Sequence, residues 1–412
     1  MTASFFASRW VDAPAHAREG AGLPAGFRAA GVACGIKPSG TPDLGLLVSS
    51  EPGTVSAARF TSSGVLAAPV LVCQERCTLD SLRAILVNSG NANAATGGRG
   101  LDEAARMQGA GAMVAGVPEA QVGIASTGVI GVQLEGQKIV RGLVDARGAL
   151  AEDGDAAFAE AIRTTDVTAK RVSLEVELES GTVKLAAQAK GAGMISPSFA
   201  TLLCFVETDA ALAPETADLL LGVTVKRSFD RISVDGQLST NDSVFLLASG
   251  ASGVRVEPES ADELLLGEAL DAVLRQLALM IVGDGEGAAR VGRVVVYGGH
   301  PQGVEVVARA VANSPLVKAA LNGGDPNWGR IAQAAGAALP GTAPLPVDIW
   351  IEGVQVCARG TGIPFDAGAL AEAVAREEVE YRVGLPGEGA EAEVLFSDLS
   401  HGYVTVNAEY TT

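Results

Sequence analysis

The stretch RVSLEVELESGTVKLAAQAKG, residues 171–191, constrains the fold more than any other part of the chain. Val172, Leu174, Val176 and Leu178 alternate with polar residues, Ser180-Gly181 turns the chain, and Val183, Leu185 and Ala187 alternate back. A period of two places one set of side chains on one face of an extended strand, so the pattern predicts a β-hairpin that delivers Lys190 at its end. Helical periodicity follows elsewhere: in DEAARMQGAGAMVAG (102–116), in 214–226, in DELLLGEALDAVLRQLALMIV (262–282) and in 303–321. Hairpins and strands with helices between them describe a mixed α/β or α+β protein. No short repeat or long linker divides it.

A chain of 412 residues is too long for one small core and predicts two or three packed layers or two domains. With 48% apolar and 19% charged residues and no charged block, it reads as ordered throughout. The 48 acidic and 30 basic residues give a net charge of -18, a field that repels phosphates. Nucleic acid and anionic membranes are therefore poor partners, and a cytoplasmic protein acting on small molecules fits better. The first 25 residues lack the basic start, apolar run and cleavage box of a secretory signal, and no window reaches the roughly 18 apolar residues of a membrane span.

Cys34, Cys73, Cys77, Cys204 and Cys357 are odd in number and scattered, which argues against a disulfide framework. Cys73 and Cys77 could supply half a metal site, but no second Cys/His pair accompanies them, so structural thiols and no metal are expected.

Catalytic sets can be tested by elimination. The three histidines, His16, His300 and His401, lie far apart, and no Gly-x-Ser-x-Gly elbow exists. His401, in DLSHGYV, reads as a loop or surface residue. GDGEGA (283–288) lacks the GK[ST] of a phosphate loop and carries Asp284 and Glu286, which would oppose a phosphate. It is either a solvated turn or an acidic group presented to a ligand ammonium. STGVIG (126–131) is either an ordinary turn or one whose N–H groups and Thr127 hydroxyl converge on an oxyanion. NSGNANAATG (88–97) offers amides of the same kind, usually spent on Asx turns.

Thr201, in KGAGMISPSFATLLCFVE (190–207), has two readings. It is a β-branched residue fitting a pleat, or it is a nucleophile. Without histidine, threonine gains a base by becoming N-terminal, since its own α-amine then stands beside the hydroxyl. That requires a cut between Ala200 and Thr201, which the small alanine and the glycine- and proline-rich turn before it permit.

KGAGMISPSFATLLCFVETDA resembles the signature of the ornithine acetyltransferase family, also called the bifunctional glutamate N-acetyltransferase or arginine biosynthesis ArgJ family, whose usual form is close to KGSGMIAPNMATML. Further matching stretches run in order through about residues 24–412: GFRAAGVACGIKPSG, ILVNSGNANAATG, STGVIG, TTD (164–166), SVDGQLSTND (233–242), GDGEGA, NSPLVKAALNGGDPNWGRI and DLSHGYVTVNAEYTT. The resemblance implies a precursor that cuts itself at Ala200-Thr201 into segments 1–200 and 201–412, with Thr201 as both cleavage residue and nucleophile. It implies Thr127 and Gly128 as the oxyanion pair. Substrate contacts would come from Thr165, less favoured Thr164, Lys190, Thr201, Glu286, Asn407 and Thr412.

The implied reaction is a ping-pong transfer of acetyl from N-acetylornithine to glutamate through an acetyl-threonine, within arginine synthesis. No cofactor is implied, with acetyl-CoA open as a further donor. The implied fold is a DmpA/ArgJ-like layered α/β (mixed α+β) architecture, two β-sheets between helices plus a smaller C-terminal domain, assembled as α2β2. Gln237, Ser198-Phe199 and Ala95 depart from the family pattern. Two rival readings remain: an N-terminal-nucleophile aminopeptidase of the same superfamily, in which water accepts the acyl group, and an uncleaved amino-acid-binding protein.

Overall fold

The computed structural model describes residues 4–196 and 202–409. The hairpin is present: strands Lys170–Leu178 and Gly181–Lys190 pair antiparallel, from Leu178 opposite Gly181 to Lys170 opposite Ala189. They lie inside a six-stranded sheet, in the order Ala17–Glu19, Lys170–Leu178, Gly181–Lys190, Leu203–Thr208, Ser243–Ala248, Val55–Phe60.

Alternation along the hairpin suggested one buried face, but in its second strand Ala186, Gln188 and Lys190 are buried as completely as Leu185 and Ala187. The reason is a second sheet laid over the first, of strands Phe27–Val32, Leu44–Ser49, Ala84–Asn91 and Val122–Val129. Between the sheets Ala186, Phe205, Phe245 and Leu247 join one apolar core with Leu47, Ile85 and Val87. Phe205 stacks on Phe245 and meets Phe158 edge-on, Phe158 being carried by helix Asp155–Ile162, which is wedged against both sheets.

The other face of the six-stranded sheet buries Leu174, Val176, Cys204, Val206 and Leu246 against helices Pro214–Arg227 and Ala261–Gly283. Helices Ala68–Arg76, Gly97–Ala115 and Gly136–Gly148 cover the four-stranded sheet. Two sheets thus lie between helices, each apolar face answered by another.

A third sheet of seven strands, from Ile232–Ser233 to Thr361–Gly362, makes a C-terminal unit with its own core under helices Pro301–Asn313 and Trp328–Ala338. The strand Ile232–Ser233 pairs parallel with Leu395 and Phe396 and ties this unit to the layers. No helix among the described residues is long and apolar enough to cross a membrane.

The periodic segment 303–321 is two helices rather than one, Pro301–Asn313 and Pro315–Gly323. Pro315 has no N–H and pushes Ser314 out of helical geometry, and the Ser314 hydroxyl then caps the second helix by accepting from Val317 N–H. The segment 262–282 is Ala261–Gly283, started by Ser260, whose hydroxyl accepts from Glu263 N–H. Its far end delivers the turn that holds Asp284 and Glu286.

Candidate active site

Seven of the residues singled out from sequence come together. Thr127, Gly128, Thr164, Thr165, Lys190, Glu286 and Asn407 line one cleft, with Ser239, Thr240 and Asn241 beside them. Ala200, Thr201 and Thr412 lie outside the described residues.

Thr127 and Gly128 stand at the end of strand Val122–Val129, which pairs parallel with Ala84–Asn91 until the ladder slips at Gly90 and Asn91. That bulge lets the two strands approach closely. A Cβ on Gly128 would sit 2.3 Å from the Gly90 carbonyl carbon, and its φ of 132° is one that side chains rarely adopt. Only glycine fits there.

Lys190, at the end of the hairpin, is 2% exposed. Its ammonium donates to Thr164 Oγ1 at 2.7 Å and to Thr127 Oγ1 at 3.3 Å. Thr164 and Thr165 both line the cleft, and the bond to Lys190 is made by Thr164. Because Thr127 Oγ1 accepts this bond, its own proton is available to donate into the cleft. Burial holds the Lys190 ammonium below the usual lysine range, Asp166 opposes that shift, and the like charge of Lys170 adds to it.

Asp166 is buried under the same wall. Its Oδ1 accepts from Lys170 Nζ at 2.8 Å and from Gly191 N–H at 2.7 Å, while Oδ2 lies 3.8 Å from Lys190 Nζ. Burial alone would raise its carboxyl, but the charges of Lys190 and Lys170 and the bonds it accepts hold it well below the usual range.

Glu286 lines the same cleft. Its backbone N–H donates to Ala192 carbonyl at 2.9 Å, and its carboxylate lies across Gly193, where a Cβ would be within 2.7 Å of it. Asn407 Nδ2, from helix His401–Glu409, donates to Glu286 Oε2 at 2.9 Å. His401 is exposed at the start of that helix.

The chain enters and leaves the undescribed stretch 197–201 under the control of two carboxyls. Asp235 accepts from Met194 N–H at 2.6 Å and Ile195 N–H at 2.9 Å, and Asp242 accepts from Leu202 N–H at 3.0 Å. Burial pushes both carboxyls up, and the bonds they accept work against it. Asn241 Nδ2 reaches the Ala92 and Ser126 carbonyls at 2.7 and 2.8 Å, joining this segment to the strand that carries Thr127.

Residues 28–412 match the ArgJ family along almost the whole chain. The chain belongs to the ArgJ family. Among its relatives, the arginine biosynthesis bifunctional protein ArgJ of Rhodopirellula baltica is 43% identical over 396 residues, 95% of this chain and 96% of that protein. The protein of the same name from Nitratidesulfovibrio vulgaris is 43% identical, across 94% of this chain and 98% of its own length. Among solved structures, an ornithine acetyltransferase from Mycobacterium tuberculosis complexed with ornithine is 38% identical, over 44% of this chain and 98% of that one, with a TM-score of 0.41.

Several residues in and around this cleft escaped sequence reasoning. Asp166, Lys170, Asp235, Asn241 and Asp242 all sit in or beside motifs quoted for the resemblance, TTD and SVDGQLSTND, yet carried no role there. A signal existed in the acids themselves: charged residues set among apolar or glycine-rich neighbours must be paired if they are buried. Which of them meet is set by three loops from distant parts of the chain.

Proposed function

We propose that the chain is a self-cleaving acetyltransferase that moves an acetyl group from N-acetylornithine to glutamate. The observation that carries this reading is a single cleft lined by a buried cation, Lys190, a carboxylate, Glu286, and the pair Thr127 and Gly128. An amino acid with a carboxylate and a side-chain ammonium matches those two charges. Lys190 suits the carboxylate and Glu286, held by the Asn407 amide, suits the ammonium of the ornithine side chain.

In this reading the Thr201 hydroxyl attacks the Ala200 carbonyl, the acyl group moves from nitrogen to oxygen, and water hydrolyses that ester, giving segments 1–200 and 201–412 with Thr201 at the head of the second. Its hydroxyl then attacks the acetyl carbonyl while its free α-amine takes the proton. Thr127 Oγ–H and Gly128 N–H stabilise the oxyanion. The proton passes to the departing ornithine amine, the acetyl remains on Thr201 as an ester, and the glutamate amine attacks that ester to give N-acetylglutamate and free Thr201. No histidine is among the described residues lining the cleft, which supports the amine as base.

Sheet pairing supports the two segments remaining together after cleavage. Strand Gly181–Lys190 of the first pairs with Leu203–Thr208 of the second, Lys190 opposite Leu203, and Val55–Phe60 pairs with Ser243–Ala248. We assign two copies of each segment to the assembly. Acetyl-CoA as a second donor to glutamate is read by release of coenzyme A.

The deciding experiment incubates purified protein with N-acetylornithine, with and without glutamate. The expected products are two segments by mass, with ornithine and N-acetylglutamate formed one to one only when glutamate is present. Acetate released at the same rate without glutamate would instead mean that water is the acceptor, and an intact chain holding amino acids unchanged would mean a binding protein.

Gly128→Ala probes the close approach of the two strands. Its Cβ overlaps the Gly90 backbone, so the oxyanion donors must shift, and transfer should slow by about 10²-fold or more. Steady-state assay of the cleaved variant checks it, and a rate near wild type would show that the bulge tolerates a methyl.

A further inference from the structure

One buried cation at this site has no part in the mechanism above. Lys170, on the first strand of the hairpin, is 0% exposed. Its ammonium donates to Asp166 Oδ1 at 2.8 Å and to Asp284 Oδ2 at 2.5 Å. A buried ammonium is tolerated only when it is paired, and here two carboxylates share it. One of them, Asp166, also faces Lys190, but at 3.8 Å, a full ångström longer than its bond to Lys170. Lys190 spends its short hydrogen bond on the neutral Thr164 hydroxyl instead.

We propose that Lys170 is a positioning residue: by drawing Asp166 onto itself it holds the Asp166–Lys190 ion pair open at 3.8 Å, so that a substrate carboxylate can take the shorter place on Lys190, and through Asp284 it fixes the loop that presents Glu286. The inference rests on the reading of Lys190 as the carboxylate-binding group.

The physical argument is competition. Asp166 is held near Lys190 by Thr164 N–H at 3.2 Å and Gly191 N–H at 2.7 Å. Were Lys170 uncharged, Lys190 would be the nearest cation to Asp166. A small rotation would turn the 3.8 Å approach into a short ion pair, and an incoming carboxylate would then have to displace it. The second arm of Lys170 crosses the scissile position in sequence, since Asp166 and Lys170 precede residue 200 and Asp284 follows it. Asp284 Oδ2 also accepts from Val167 and Thr168 N–H at 3.1 and 3.3 Å. One ammonium thus holds the TTD loop of one segment to the GDGEGA loop of the other, two residues before Glu286.

The test compares kcat/KM for N-acetylornithine with that for its carboxamide, N-acetylornithinamide, which lacks the charge Lys190 would bind. Wild-type enzyme should prefer the carboxylate by about 10- to 100-fold, the range for a hydrogen bond between charged groups. Lys170→Met/Asp284→Asn removes one charge of each sign and leaves Asp166 with Lys190 alone; the preference should collapse to within about threefold of unity, through KM rather than kcat. Lys170→Met/Asp166→Asn removes the competitor as well, and the preference should return. A purely architectural lysine would affect both variants alike. Retention of the wild-type preference in a folded, cleaved Lys170→Met/Asp284→Asn enzyme would overturn the proposal. If that variant fails to cleave, loss of preference in Lys170→Met/Asp166→Asn overturns it, and failure of both to cleave assigns Lys170 to folding alone. A wild-type preference near unity would remove the Lys190 reading, and the proposal with it.

Discussion

Thr201→Ala protein will run as one chain of 412 residues under conditions where wild type yields two, and it will transfer no measurable acetyl. Attack on the Ala200 carbonyl and attack on the acetyl carbonyl require the same hydroxyl, so a single substitution removes both reactions. Loss of a nucleophile that acts with its base as a unit costs about 10⁴-fold or more. The rest of the site should survive, because its shape is held by residues on either side: Asp235 grips Met194 and Ile195, and Asp242 grips Leu202. Intact mass, a thermal melt and a single-turnover assay make the comparison. A Thr201→Ala preparation that still separates into two segments would move the cleavage chemistry to another residue.

Thr127→Ala is expected to separate chemistry from folding. The side chain is 5% exposed, and its hydroxyl accepts from Lys190 at 3.3 Å. Removing it deletes one oxyanion donor, worth about 10²–10³ in rate, while the stability lost with one such hydrogen bond is about 1 kcal/mol. Transfer should therefore slow a hundredfold or more, within that same range, in a protein that melts only a few degrees lower, by the roughly 2–4 °C per kcal/mol of a large domain. Self-cleavage passes through an oxyanion at the same threonine and should slow with it. Turnover at the wild-type rate in a cleaved Thr127→Ala enzyme would take this hydroxyl out of the mechanism.

The parts of this protein legible in sequence are those fixed by short-range physics. The hairpin at 171–191 is written in alternation and a Ser-Gly turn, and the long helix at 262–282 in periodicity. The break between Pro301–Asn313 and Pro315–Gly323 was equally local, since Ser314-Pro315 is a stop and a cap together, but continuous periodicity masked it. The motif string carried the family.

What sequence left open is what depends on which surfaces face each other. Alternation in 181–190 marked one apolar face and could not show that Gln188 and Lys190 would be buried too, because the covering sheet comes from residues 27–129. That second sheet is what turns Lys190 from a strand-end lysine into a dehydrated cation beside Thr127. Likewise nothing in TTD or GDGEGA announces that Asp166 and Asp284, 118 positions apart by their numbers, share the ammonium of Lys170. Burial makes each of these charges costly alone, so the chain that folds is one whose loops bring a partner to each. The sequence by itself determined the elements and the chemical inventory; tertiary packing decided which charges lost water, and therefore which must pair and which remained to meet a substrate.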